Sequence, residues 1–180
     1  MRTALRTSLV GASAAAMALA SLALPRSASA QALNDPTIVA IFDAANTWDM
    51  ETGGMAAKKA TTKELREFGA MLVRDHKGVR KQGRDLAKKL GVTPTPPKNF
   101  AMATDHHAAV KKLKGLHGKA FDRAFLEHEV AYHKAVIEAV NTTLMPALKN
   151  QEVKDLVTKV APAFKAHEDA AQDKLNKLPK

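Results

Sequence analysis

An all-α fold, in which four long helices form a bundle with a short extra connecting helix, is what this sequence predicts, and three observations predict it. Four long stretches place apolar residues at spacings of three and four, the period of a helix packed along one side. No alternating β-branched run and no Asn-Gly hairpin signal occurs anywhere in the 180 residues. Each stretch also interrupts its apolar stripe with a Glu or His near its middle, and a polar group on a buried stripe needs partners, or it costs several kcal/mol. A shared interior supplies those partners.

Residues 1–30 read as an export signal. Arg2 and Arg6 form a basic start, Leu9 to Leu24 is an Ala/Leu-rich apolar run, and Ala28-Ser29-Ala30 is a small-residue cleavage site. Pro25 and Arg26 follow the run at once, and its short length argues against a membrane anchor. Cleavage after Ala30 starts the mature chain at Gln31, and with no cysteine there is neither a lipid-attachment site nor a disulfide. The expectation is a soluble periplasmic protein, residues 31–180 forming one domain without a transmembrane segment.

Composition narrows the chemistry. Without Arg2, Arg6 and Arg26 the 28 basic residues fall to 25 against 18 acidic ones, a formal charge of +7. That excess suits an anionic envelope component as a partner, although Lys and Arg are interspersed with Asp and Glu instead of forming a block. Few aromatics are available to stack on bases, so nucleic acid is not an expected partner. Every serine precedes Gln31, which removes Ser-His-Asp and Cys-His catalysis, thiolate metal sites and iron–sulfur clusters from the mature chain. No catalytic residue and no substrate are indicated.

Along the mature chain, Asn34-Asp35-Pro36 opens the first helix, with Asp35 as the expected N-cap and Pro36 at the first helical position. Ile38, Ile41, Phe42, Ala45, Trp48 and Met55 mark its helical spacing, and Glu51 interrupts it. Gly53-Gly54 weakens this helix and implies either close approach by a neighbour or a bend. Thr61 with Glu64 resembles a capping box for the second helix, whose stripe is Leu65, Phe68, Leu72, Val79, Leu86 and Leu90, with His76 on it and Gly91 as its stop. A Pro-rich link leads to a thinly apolar connecting helix, about Thr104 to Leu116, whose neighbours His106, His107 and His117 are expected in solvent.

The stretch Phe121 to Val140 is the strongest helix. Asp122, Leu126, Glu129, His133, Val136, Ile137 and Val140 share one stripe, and Phe121, Phe125, His128 and Tyr132 form a second. Asp122 fits either a ligand or a first-turn acid favoured by the helix dipole. Asn150 is the expected cap of the last helix, which carries Val153, Val157, Val160, Phe164 and Ala171 with His167 among them, and an internal Pro162 expected to kink it.

Glu51, His76, the Glu129/His133 pair at i and i+4, and His167 are therefore the candidate ligands of one ion inside the bundle. Imidazole with carboxylate suits zinc, iron, copper, nickel or manganese. The competing expectation is a metal-free core in which the same histidines are merely hydrogen-bonded.

Three segments, METGGMAAKKATTKELREFGAMLVRDHKGV, FDRAFLEHEVAYHKAVIEAV and LVTKVAPAFKAHEDAAQDKL, resemble the secreted bacterial family called domain of unknown function 4142, which belongs to the ferritin-like helical bundles. In that family's pattern a Glu on the first helix, the His of an Asp-His pair, the His following a Phe-Asp start and a final His after a Pro match Glu51, His76, His133 and His167. The resemblance implies a ferritin-like bundle and no established activity. The di-iron pattern of such bundles needs Glu-x-x-His on two helices, whereas Val73 and Phe164 stand three before His76 and His167, which favours a mononuclear or His-rich site. The expected role is transition-metal binding for sensing, buffering or stress protection. A metal-free envelope interaction protein acting through a basic outer surface is the alternative.

Overall fold

The computed structural model describes residues 33–98 and 100–179, so the export signal expected over residues 1–30 lies outside the described residues. Among the described residues every regular element is helical: α1 (Asp35–Lys59), α2 (Lys63–Lys89), α3 (Ala101–Gly115), α4 (Gly118–Ala139), α5 (Met145–Ala147) and α6 (Gln151–Lys177). A π-helical stretch, Val140–Leu144, joins α4 to α5. None of the described helices is long and apolar enough to cross a membrane.

Local chemistry sets the helix ends, in two places one residue away from the expected position. Asn34, not Asp35, caps α1, its Oδ1 accepting from the Thr37 N–H at 3.0 Å. Asp35 instead accepts from the N–H groups of Lys149 and Asn150, at 2.9 and 3.2 Å, tying the start of α1 to the start of α6. Thr62, not Thr61, caps α2 by accepting from Leu65 N–H at 3.2 Å. Thr61 gives its N–H and its hydroxyl to Asp122, which resolves the role of that buried acid: it fastens the α1–α2 turn to α4. At Gly91, φ of 64° allows the left-handed stop of α2, where Val92 N–H reaches the Ala87 carbonyl at 2.9 Å. Asn150 caps α6 as expected, accepting from Val153 N–H at 3.2 Å.

Packing explains the glycines of α1. A Cβ built on Gly53 would stand 2.8 Å from the Gly69 carbonyl oxygen, and one on Gly69 would stand 2.5 Å from that of Gly53. The two backbones touch here, so close approach is the reason for Gly53.

Two apolar clusters hold the helices together. One joins Ala56, Phe68, Leu72, Phe121, Phe125 and Ala171, and the other joins Ile38, Ile41, Ala87, Val140, Leu148 and Val157. Along each of α1, α2, α4 and α6 a buried polar stretch falls between its contributions to the two clusters. The order of those contributions makes α1 and α6 run one way and α2 and α4 the other. Because α2 and α4 run alike, the chain must return between them, and α3 does this, with Phe100 before it packed on one cluster and Leu113 near its end in the other.

Candidate metal centre

Between the clusters, α2, α4 and α6 bring three imidazoles together. The ring centroids of His76, His133 and His167 stand 5.6 Å (His76 to His133), 5.0 Å (His76 to His167) and 5.4 Å (His133 to His167) apart, and one nitrogen from each lies within 4.8 Å of the others. All three side chains are buried. The outer nitrogen of every ring is committed to an acceptor. His76 Nδ1–H donates to Asn46 Oδ1 at 2.9 Å, an orientation fixed because the Asn46 amide nitrogen donates to the Phe42 carbonyl at 2.8 Å. His133 Nδ1–H donates to the Glu129 carbonyl one turn back, at 2.9 Å. His167 Nε2–H donates to Asp75 Oδ2 at 3.3 Å.

For neutral rings these bonds favour one tautomer each. With neutral rings, His76 Nε2, His133 Nε2 and His167 Nδ1 carry lone pairs and no proton, and His76 Nε2 faces His167 Nδ1 at 3.2 Å. Burial keeps the rings neutral: it drives His76 down to about 2 and His133 down to about 4, and it lowers His167 against the opposing pull of Asp75. Two lone pairs in contact repel unless a proton or a metal ion lies between them. His133 Nε2 is likewise buried with no hydrogen-bond partner.

The carboxylates come from α1 and α4. Glu129 Oε1 accepts from the Thr52 hydroxyl at 2.8 Å, while its Oε2 is buried without a partner, 3.6 Å from His133 Nδ1. Asp49 Oδ1, also buried without a partner, is 3.8 Å from His133 Nε2, and Asp49 Oδ2 is 3.6 Å from His76 Nδ1. Burial pushes Glu129 up to about 7 and Asp49 well above the usual carboxylate range, with the nearby Glu129 raising Asp49 further. Each unsatisfied buried polar atom costs about 1–3 kcal/mol. Three such atoms around one histidine mark an arrangement that a cation of charge two would complete.

Of the residues expected here, His76, Glu129, His133 and His167 do meet, and Glu51 does not. Glu51 is exposed on the opposite side of α1, where its Oε2 lies 3.0 Å from His106 Nε2 and its Oε1 lies 3.7 Å from Lys114 Nζ. The physical reason is rotational: Asp49 precedes Glu51 by two residues, about 200° around a helix, and the contact at Gly53 fixes which face turns inward. Asp49 supplies the α1 carboxylate, and Asn46 orients His76. The readable signal for both is a stripe of small and polar residues, Asn46, Asp49, Thr52, Gly53, Ala56 and Ala60, at helical spacing.

The expectation that His106 is solvated also fails. Its ring stacks on Trp48, centroids 5.1 Å apart, and it is buried. His107 and His117 are exposed, as expected.

Comparison with known proteins agrees with the resemblance of the three segments. The model of a family described as "Domain of unknown function (DUF4142)" matches residues 11–173. No curated protein and no solved structure matches the chain.

Proposed function

The chain belongs to the DUF4142 family, whose description assigns no role, and we propose that it is an exported, periplasmic ferritin-like four-helix bundle that binds one transition-metal ion at its centre. Two buried groups that share His133 would hold it: His76, His133 and His167, and Asp49, Glu129 and His133. The observation that carries this reading is the placement of the histidine nitrogens: each ring sets one nitrogen against an outer oxygen and turns the other toward the neighbouring rings. Imidazole ligands of metals are oriented in this way, the second N–H being held by a carbonyl or carboxylate. With both rings donating outward, a cation between His76 Nε2 and His167 Nδ1 would relieve the contact of their lone pairs.

The donor set fits zinc, iron, copper, nickel or manganese, and lacks the thiolates that favour copper(I) or iron–sulfur chemistry. Burial holds protons on Asp49 and Glu129 in the metal-free protein, and a divalent cation that displaced them would be balanced by the two carboxylates. Sensing, buffering or stress protection through that ion are the roles consistent with a ligand-holding bundle that names no substrate.

The test uses protein exported by its own signal and purified without added metal. Near-stoichiometric metal is expected, with chelation lowering the melting temperature, because an ion bound only by the native state must stabilise it. His133→Ala and His133→Leu should both lose the metal, whereas His107→Ala, on an exposed ring, should keep it. Equal metal content in all these proteins, or melting indifferent to chelator in wild type, would sink the proposal and favour a metal-free interaction protein.

A further inference from the structure

A threonine inside a helix commonly gives its hydroxyl proton to the carbonyl one turn back. Thr47 of α1 does so, reaching the Asp43 carbonyl at 2.7 Å, and Thr142 reaches the Glu138 carbonyl at 2.8 Å. Thr52, three residues after Asp49 on α1, does not. Its hydroxyl oxygen stands 3.3 Å from the carbonyls of both Trp48 and Asp49, but 2.8 Å from Glu129 Oε1 on α4. Both side chains are fully buried, so water does not compete for this bond. A hydroxyl has one proton, and the nearest of the three acceptors takes it. An ionised carboxylate only accepts, so beside a cation Glu129 keeps Thr52 as its donor. The bond commits Oε1 to α1 and leaves Oε2, buried without a partner, on the side of His133. One residue further on, the contact of Gly53 with Gly69 sets the rotation of α1 that points Thr52 at α4.

Resting on the reading of a bound ion, we propose that Thr52 is a positioning residue of the centre: its hydroxyl holds Glu129 Oε1, so that Glu129 serves the ion as a one-oxygen ligand through Oε2. Helix α1 then acts on the ion twice, through the Asp49 carboxylate and through the hydroxyl that aims the carboxylate of α4. Thr52 does for a carboxylate ligand what Asn46 and Asp75 do for the imidazoles of His76 and His167.

The test is zinc titration of the exported protein after its metal is stripped, with the melting of each metal-free variant measured alongside. Thr52→Val keeps the shape of the side chain and removes the hydroxyl, and Thr52→Ala removes it with less bulk should the valine variant fold poorly. Either should weaken zinc binding about 10–100-fold, whereas Thr52→Ser, which keeps the hydroxyl, should bind close to wild type. Because Thr52 acts through Glu129, adding Thr52→Val to Glu129→Leu should weaken zinc binding no further than Glu129→Leu alone. Zinc bound as tightly without the hydroxyl as with it, even where melting falls, would make Thr52 a packing residue and overturn the proposal. A serine variant as weak as the valine one, or losses that add in the double variant, would overturn it too. Absence of zinc binding by wild type would bring it down through the underlying metal reading, and that titration comes before any variant is made.

Discussion

Asp75 does for His167 what Asn46 does for His76: each accepts the outward N–H and so keeps the inward nitrogen bare. Asp75 is a third exposed and is also held by Arg74 Nε at 3.0 Å, so its replacement disturbs little of the core. Asp75→Ala should therefore weaken metal binding about 10–100-fold, the usual cost of losing such an outer partner, while the metal-free protein melts nearly as wild type. Isothermal titration with zinc checks it, and unchanged affinity would show that the orientation of His167 does not depend on this bond. Asp49→Asn should likewise lower affinity, whereas Glu51→Gln should leave it unaltered. These two outcomes separate the inward carboxylate from the outward one. The sequence pointed to Glu51 because α1 has no single apolar stripe: Thr37, Ile38, Val39, Ala40 and Ile41 are all buried in succession, so periodicity alone does not fix its rotation. His76 and His167 were legible because α2 and α6 are one-sided enough to give the stripe a definite phase, and Glu129 and His133 because they fall at i and i+4 on one of the two stripes of α4.

Contact between α1 and α2 at Gly53 and Gly69 fixes the rotation that periodicity leaves open. Gly69→Ala places a methyl against the backbone of α1 and should destabilise by about 1–3 kcal/mol, as overpacking of a tight contact does. Gly78→Ala, on the same helix, meets nothing within 4 Å and should instead stabilise by roughly 0.5–1 kcal/mol through helix propensity. Denaturant melts of the two variants should move in opposite directions, and a stabilising Gly69→Ala would refute the close crossing. At this scale the order and extent of the long helices were readable from spacing and punctuation. The caps at Asn34 and Thr62 fell one residue from the expected positions because Asn34-Asp35 and Thr61-Thr62 each offer two competent side chains in a row, and a distant partner takes one of each pair: Lys149 and Asn150 bind Asp35, and Asp122 binds Thr61. The burial of His106 was not legible, since the bed it stacks on, Trp48, belongs to another helix.

Across the whole molecule, the polar layer between two apolar clusters makes stability depend on pH and on metal together. Glu129, raised to about 7, contributes stability to the metal-free protein that is present below the ordinary carboxylate range and lost as pH rises through about 7. His76 and His133, lowered to about 2 and about 4, act in the opposite sense: below the ordinary value of 6.5 the unfolded chain binds protons that the folded rings refuse, so acid destabilises. A bound cation needs ionised carboxylates and neutral imidazoles, so the melting difference between metal-loaded and metal-free protein should grow from about pH 5 to about pH 8. Calorimetric scans with and without zinc measure it, and a difference that shrank with rising pH would place the ion away from Glu129. The central claim is that three inward imidazole nitrogens and the Asp49/Glu129 carboxylates share one ion. X-ray absorption spectroscopy of the zinc-loaded protein addresses it most directly. It should show about three imidazole nitrogens at about 2.0–2.1 Å with carboxylate oxygen at about 2.0–2.2 Å, and loss of one imidazole in His167→Ala. A shell of oxygens without imidazole scattering, or a spectrum identical in wild type and His167→Ala, would contradict it.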